Sequence, residues 1–156
     1  MKNHDAGPRA TSIAEISALT LKLFFAQRAM RAFWTFFDVA LRDTDVNASQ
    51  LCMLALLHHK EPMVFGDMAD ALAMDRSNLS SQLAPLFRRK LVAIIPHGGD
   101  RRKRQLVVTP KGRDVFGCSL ARWSQAYQNL SPWIDHAHVD SLRDLFFALR
   151  DLHNEI

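Results

Sequence analysis

The sequence predicts a mainly α-helical chain with one small β-hairpin, and three observations predict it. Apolar residues recur at spacings of three and four through most of the chain, the period of a helix with one buried face. Two β-branched runs, 91–96 and 105–109, flank a Gly-Gly pair, the pattern of two strands and a turn. The charge gathers on the same segment: Arg88 to Arg113 holds nine basic residues and one acidic residue, Asp100, a net +8 in a chain whose total is +4, so the remainder is −4. One sign concentrated on one stretch is the electrostatic footprint of a nucleic-acid binder, because attraction to phosphate works where charges cluster.

Composition narrows the class further. The 156 residues fit one domain at roughly 100–200 residues per domain. With 48% hydrophobic and 23% charged residues, wholesale disorder and collagen-like or low-complexity structure are excluded. Cys52 and Cys118 are the only two cysteines, too few and too far apart for a secreted disulfide framework, which points to a reducing compartment. Asp5 and Pro8 interrupt Met1–Arg9 before any apolar run, so no signal peptide is expected there. The longest apolar run, Leu51 to Leu57, is far short of the roughly 20 residues that span a bilayer. A soluble, cytoplasmic protein without membrane contact is expected.

Residues 1–11 read as a flexible tail. From Thr11 to Arg42, Ile13, Ile16, Leu19, Leu23, Met30, Phe33, Trp34, Phe37 and Leu41 trace a long amphipathic helix whose apolar stripe calls for a partner. Asp43 to Asn47 is a polar break, after which Asn47 or Ser49 can cap a second helix running to about His59, where Glu61-Pro62 ends it. Two short helices follow. Gly66–Ala73 turns Met68, Ala69 and Leu72 inward, and Arg76–Lys90 turns Leu79, Leu83, Leu86 and Phe87 inward. Asp75, in the turn between them, can accept hydrogen bonds from the free amides that open the second helix. The outer face of that helix is short and polar: Arg76, Ser77, Asn78, Ser80, Ser81 and Gln82. This is a helix-turn-helix pattern.

The residues between the two β-branched runs, His97-Gly98-Gly99-Asp100-Arg101-Arg102-Lys103-Arg104, make the hairpin tip long, basic and solvent-facing, a wing. Thr109-Pro110 then opens another helix with a favoured cap and a favoured first residue. Its inward stripe is Phe116, Leu120, Trp123, Tyr127 and Leu130. Ser131-Pro132 breaks it, and Leu142, Leu145, Phe146, Leu149, Leu152 and Ile156 mark a last amphipathic helix.

In this order the elements resemble a regulator of the multiple antibiotic resistance (MarR) family of winged helix-turn-helix transcription factors. The resemblance runs from Asn47 to Phe116 and is carried by Asp75-Arg-Ser-Asn-Leu-Ser-Ser-Gln-Leu83, Leu86-Phe-Arg-Arg-Lys-Leu-Val92 and Asp100-Arg-Arg-Lys-Arg-Gln-Leu-Val-Val-Thr-Pro-Lys-Gly112. The last is close to the family's Asp-x-Arg wing tip followed by a strand ending Leu-Thr-x-x-Gly. Two positions depart from the family pattern: Lys90 stands where Gly is usual, at a left-handed helix terminus, and Pro85 falls inside the recognition helix, where a kink is expected.

The resemblance implies a single domain over 1–156: a tail at 1–11, dimerisation helices at 12–46 and 111–156, and a winged helix-turn-helix DNA-binding lobe at 47–110. It implies a homodimer on double-stranded DNA, a ligand-responsive repressor of a palindromic operator. The alternative is an architectural dimer that binds DNA without effector control. In the major groove Arg76 can donate two bonds to guanine and Asn78 can pair with adenine, while Ser77, Ser80, Ser81 and Gln82 line the approach. Arg102 matches the family's second tip residue, a minor-groove arginine. Asp100 would orient the wing, and Arg101, Lys103 and Arg104 would meet phosphates. The family's small-molecule pocket, often for aromatic or phenolic acids, would be lined here by Phe24, Arg28, Met53 and Trp123.

Enzyme motifs were sought as the rival class. The sequence has no Gly-x-Ser-x-Gly elbow, phosphate-cradling Gly-rich loop or His-Glu-x-x-His. Adjacent His58 and His59 point about 100° apart on a helix and cannot share one metal, and His136 and His138 read as ordinary polar residues. Cys52 reads as a small buried hydrophobe and Cys118 as structural, with no cysteine near the start of the first helix for the family's peroxide-sensing chemistry. No catalytic residues, metal or cofactor are expected.

Overall fold

The computed structural model describes residues 12–96, 98, 104–135, 137, 139–145 and 148. Five helices and three short strands follow in the order α1 (Ile13–Ala40), α2 (Ala48–Lys60), β1 (Met63–Val64), α3 (Phe65–Leu72), α4 (Arg76–Arg88), β2 (Val92–Pro96), β3 (Arg104–Val108) and α5 (Pro110–Leu130), the last continuing into a 3-10 turn at Ser131–Trp133. Residues 139–145 are again helical. Among the described residues no helix is long and apolar enough to cross a membrane. The chain divides into two compact units, Met1–Phe36 and Phe37–Ile156.

The described part of the first unit is the body of α1. A capping box opens the helix, because the Glu15 amide donates to Ser12 Oγ at 3.2 Å while the Ser12 amide donates to Glu15 Oε2 at 2.8 Å. These bonds, the backbone one foremost, hold the Glu15 carboxyl below its ordinary pKa. Ile13, Ile16, Leu19 and Leu23 of the expected stripe are exposed.

The second unit has a core of leucines and methionines. Leu54 and Leu57 of α2, Met68 of α3, Leu79, Leu83 and Leu86 of α4, and Leu91 before β2 are all fully buried, so the three helices of the lobe converge on one apolar centre. Phe37, the buried end of α1, stacks on Trp123 of α5 with ring centroids 3.6 Å apart. Of the two caps open for α2, Asn47 holds the place: its side chain accepts from the Gln50 amide at 2.9 Å, and the Gln50 side chain accepts from the Asn47 amide at 3.3 Å. Asp38 Oδ1 accepts from the Ala48 amide at 2.8 Å and satisfies another free donor of that helix end.

The expected hairpin is present, with β2 and β3 antiparallel from Val92↔Val108 to Pro96↔Arg104. Periodicity did not reveal β1, which pairs with the other side of β3 through Met63↔Leu106 and Val64↔Gln105, making a three-stranded sheet in the order β1-β3-β2. Pro96, which has no amide to donate, stands at the end of an edge strand, where such a residue is tolerated. Helix α4 runs unbroken through Pro85. The terminal stripe is described at Leu142 and Leu145, both about half exposed; Phe146, Leu149, Leu152 and Ile156 lie outside the described residues, as does the 1–11 tail.

Candidate nucleic-acid interface

Two chain reversals set the geometry of α4, and each uses a residue in the left-handed region. Helix α3 stops at Ala73 (φ 45°), whose amide and that of Met74 turn back to the Asp70 and Ala69 carbonyls. Asp75 then caps α4, its Oδ1 accepting from the Asn78 amide at 2.7 Å, a bond that outweighs the slight desolvation and keeps the Asp75 carboxyl below its ordinary pKa. At the far end Lys90 (φ 60°) reverses the chain: its amide donates to the Phe87 carbonyl and the Leu91 amide to that of Leu86, both at 2.9 Å. This is the two-bond helix stop that favours glycine, so the departure seen at Lys90 in the sequence is a real strain in the backbone.

Between these ends α4 has two faces. Leu79, Leu83 and Leu86 are fully buried, while Arg76, Ser77, Asn78, Ser80 and Ser81 are exposed and Gln82 is half-buried at the edge. Ser81 Oγ donates back to the Ser77 carbonyl at 3.0 Å. The Arg76 guanidinium reaches toward α3, its Nη2 3.8 Å from where a β-carbon on Gly66 would stand. The C-terminal turn adds exposed Arg88, Arg89 and Lys90.

A compact seam fixes the hairpin to α4 and α5. Thr109 caps α5 through its Oγ1, which accepts from the Gly112 amide at 2.9 Å and donates to the Lys90 carbonyl at 2.7 Å. Lys111 Nζ donates to the Arg89 carbonyl at 3.2 Å, closing another open acceptor at the end of α4. Gly112 is required here: a β-carbon at this position would fall on the Leu91 carbonyl oxygen and come within 2.8 Å of Val108 Cγ1. The Thr-x-x-Gly spacing is thus a packing requirement of the seam.

Sequence reasoning passed over Glu61, which ties the α2–β1 turn to this seam. Its Oε2 accepts from the Val108 amide at 2.8 Å and its Oε1 pairs with Arg113. Burial alone would raise the Glu61 carboxyl, but the Val108 amide and the Arg113 guanidinium outweigh it and hold the pKa below the ordinary value. The signal available in the sequence was a lone acid next to a helix-ending proline, which carries no direction. A second unforeseen link joins the loop after α1 to α4, the Arg89 guanidinium donating to the Asp45 carbonyl.

Of the wing residues, Arg104 opens β3 and is exposed, while Asp100, Arg101, Arg102 and Lys103 lie outside the described residues. The residues named for an effector fall in different units. In the first, Phe24 is half exposed and the Arg28 guanidinium lies 5.9 Å over its ring. In the second, Met53 is a fully buried core residue and Trp123 is half-buried against Phe37. Cys52 is half-buried, with its thiol pushed up by burial, and Cys118 is exposed where a structural residue was expected.

No protein-family model and no curated protein matches the chain. Solved structures do. The transcriptional repressor CouR bound to a 23-mer DNA duplex superposes with a TM-score of 0.72 at 20% identity, covering 90% of this chain and 98% of that one. CouR from Rhodococcus jostii bound to p-coumaroyl-CoA gives 0.68 at 22%, covering 81% and 90%. Apo MarR from E. coli gives 0.63 at 17%, covering 80% and 93%. The chain has the winged-helix fold of these regulators.

Proposed function

We propose that this chain is a MarR-type transcription regulator that binds a palindromic operator as a homodimer and represses until a small aromatic or phenolic ligand releases it. One observation carries the reading: the exposed face of α4 is made of short polar side chains between an aspartate cap and a basic terminus, on a lobe whose hairpin bears the concentrated positive charge. Short side chains let a helix approach base edges, and flanking cations meet phosphates. Arg76 and Asn78 are the base-reading residues in this scheme, Ser77, Ser80, Ser81 and Gln82 the close-contact surface, and Arg101, Lys103 and Arg104 phosphate contacts. Arg102 enters the minor groove and Asp100 sets the wing. No residue has a catalytic role in this scheme.

The test is selection from a random duplex library, followed by titration of variants on the recovered site and on random DNA. An inverted repeat should be recovered. Arg102→Ala should cost about 1–3 kcal/mol on that site and lessen the preference for A·T-rich flanks. Lys103→Ala should weaken both duplexes about equally and lower the salt slope by roughly one. Tight binding with no sequence preference would establish the architectural dimer instead. Unchanged binding by Arg102→Ala on both duplexes would refute the wing.

A further inference from the structure

Within the second unit, the end of α1, the start of α2 and the C-terminal turn of α4 border an open cleft of about 350 Å³. Arg42, Arg88 and Arg89 bring three guanidinium groups to it, and Asp38 and Asp45 two carboxylates. These charges are not paired off. Among the described residues the side chains of Arg42 and Arg88 make no hydrogen bond and no ion pair. Asp38 is engaged, its Oδ1 accepting from the Ala48 amide at 2.8 Å, and the Arg89 guanidinium is held over the loop by the Asp45 carbonyl. Gln50 supplies a recessed group, since it lines the cleft and is only 6% exposed. Its Oε1 accepts from the Asn47 amide, which fixes the orientation of the carboxamide. Nε2 therefore points away from that bond, donates to no group among the described residues, and is not sealed from solvent as the Ser119 hydroxyl is. An amide nitrogen with its N–H groups unused, set at the positive end of a helix and beside unpaired arginines, is a donor awaiting an oxyanion.

We infer that this cleft binds the terminal phosphate of a small phosphate monoester, whose oxygens take N–H groups from Gln50 Nε2, Arg42 and Arg88. Three guanidinium groups against two carboxylates leave the cleft net positive, and one of those carboxylates is already bonded to the helix end, so a dianion gains most. A phosphate of a duplex backbone carries one charge and lies on a convex surface, whereas Gln50 is recessed, which favours a small molecule. The volume agrees, lying within the usual range of about 300–1,000 Å³ for such ligands. Among the described residues no aromatic side chain lines the cleft, so this ligand is distinct from the aromatic effector proposed above, and the inference does not rest on that reading. A phosphate bridging Arg42 to Arg88 ties the end of α1 to the end of α4.

The test is calorimetric titration of the full chain with glycerol phosphate, in low salt at about pH 8, where the monoester is a dianion. Glycerol and acetate serve as controls. Glycerol phosphate should bind saturably and the controls should not. Arg42→Ala/Arg88→Ala should weaken binding about tenfold or more. Gln50→Glu is the sharper variant, because a glutamate there keeps the acceptor that the Asn47 amide needs, so α2 stays capped, while the N–H donor becomes a repelling oxygen. It should abolish binding with the melting temperature unchanged. Asp45→Asn, which removes a like charge, should strengthen binding about twofold. Absence of saturable binding, equal binding of acetate, or full affinity in Gln50→Glu would overturn the inference. So would a loss of duplex affinity and salt slope in Arg42→Ala/Arg88→Ala with no binding of glycerol phosphate, since the cleft would then serve the DNA backbone.

Discussion

Helices α1 and α2 are both rich in apolar residues, yet the chain treats them oppositely. Helix α2 buries six of its 13 residues, Leu51, Met53, Leu54 and Leu57 among them, whereas α1 buries one of 28, Phe37. The difference separates what the lobe needs from what it does not. Core burial of α2 stabilises the second unit from within, at about 1.5–3 kcal/mol for each large apolar side chain taken from water. Among the described residues the stripe of α1 gains nothing comparable, so its exposed apolar side chains offer a surface for association. In the homodimer proposed above, a second copy of the chain would satisfy it with self-complementary contacts.

The largest effect expected follows from that contrast. Leu19 and Leu23 are 56% and 57% exposed in the single chain. Leu19→Asp/Leu23→Asp places two charges in the proposed dimer face, where each would lack a partner, and should raise the dimer dissociation constant by at least about a thousandfold. Sedimentation should show monomers while the lobe keeps its cooperative unfolding. A variant that stays dimeric at the wild-type affinity would remove α1 from the interface.

Next in size is Gly112→Ala, aimed at the lobe alone. Its β-carbon would collide with a backbone carbonyl, which cannot rotate away as a side chain can. The start of α5 must shift, at a cost of about 3 kcal/mol or more, read as a lower urea midpoint. A loss below about 1 kcal/mol would mean that the seam is softer than its geometry implies.

How much of this was legible in the sequence depends on the range of the interaction. The α3-turn-α4 unit, the hairpin and the start of α5 rest on local signals, namely the Asp75 and Thr109 caps, Pro110 at the first helical position, and leucines at helical spacing. Those signals survived folding almost to the residue. Strand β1 is two residues long and exists only because Met63 and Val64 pair with β3, some forty residues away, so no local pattern marked it. The same holds for Glu61 on Val108 and Arg89 on Asp45. Periodicity also overreached: Leu120 was expected on the inward stripe of α5, and the structure leaves it exposed, while Met53, named for the pocket that the resemblance implies, is in the core. Cys118 lies between the inward positions 116 and 119, and the structure leaves it exposed. The exposed outer face of α4 was legible because exposure there is the complement of a leucine stripe.

A smaller effect, of opposite sign, is expected at Lys90. With φ at 60°, any residue with a β-carbon is strained there, and glycine is not. Lys90→Gly should stabilise the lobe by about 1 kcal/mol, whereas Lys90→Ala should leave it near the wild type, since the strain belongs to the β-carbon and not to the charge. Dimer affinity should not move in either variant, which keeps the lobe's stability distinct from the association of α1. Equal stability of the glycine and alanine variants would show that the strain is relieved elsewhere.

The smallest effect is a pH dependence confined to the lobe. The Glu61 carboxyl is held below its ordinary value of 4.5 in the folded chain, so the folded state binds its proton less readily than the unfolded state. The stabilisation is therefore fully present above the unfolded value and disappears as the pH falls through the lower, folded one. Arg113 is half exposed, and solvent screening keeps the contribution of the pair small. Glu61→Gln removes the titrating group, so the stability difference between wild type and variant should shrink steadily as the pH is lowered from about 6 to about 3. Denaturant titrations across that range read it directly. A difference that stays constant would mean that the neutral amide reproduces all that Glu61 does, and that the bond to the Val108 amide, rather than the charge facing Arg113, holds the turn to the seam.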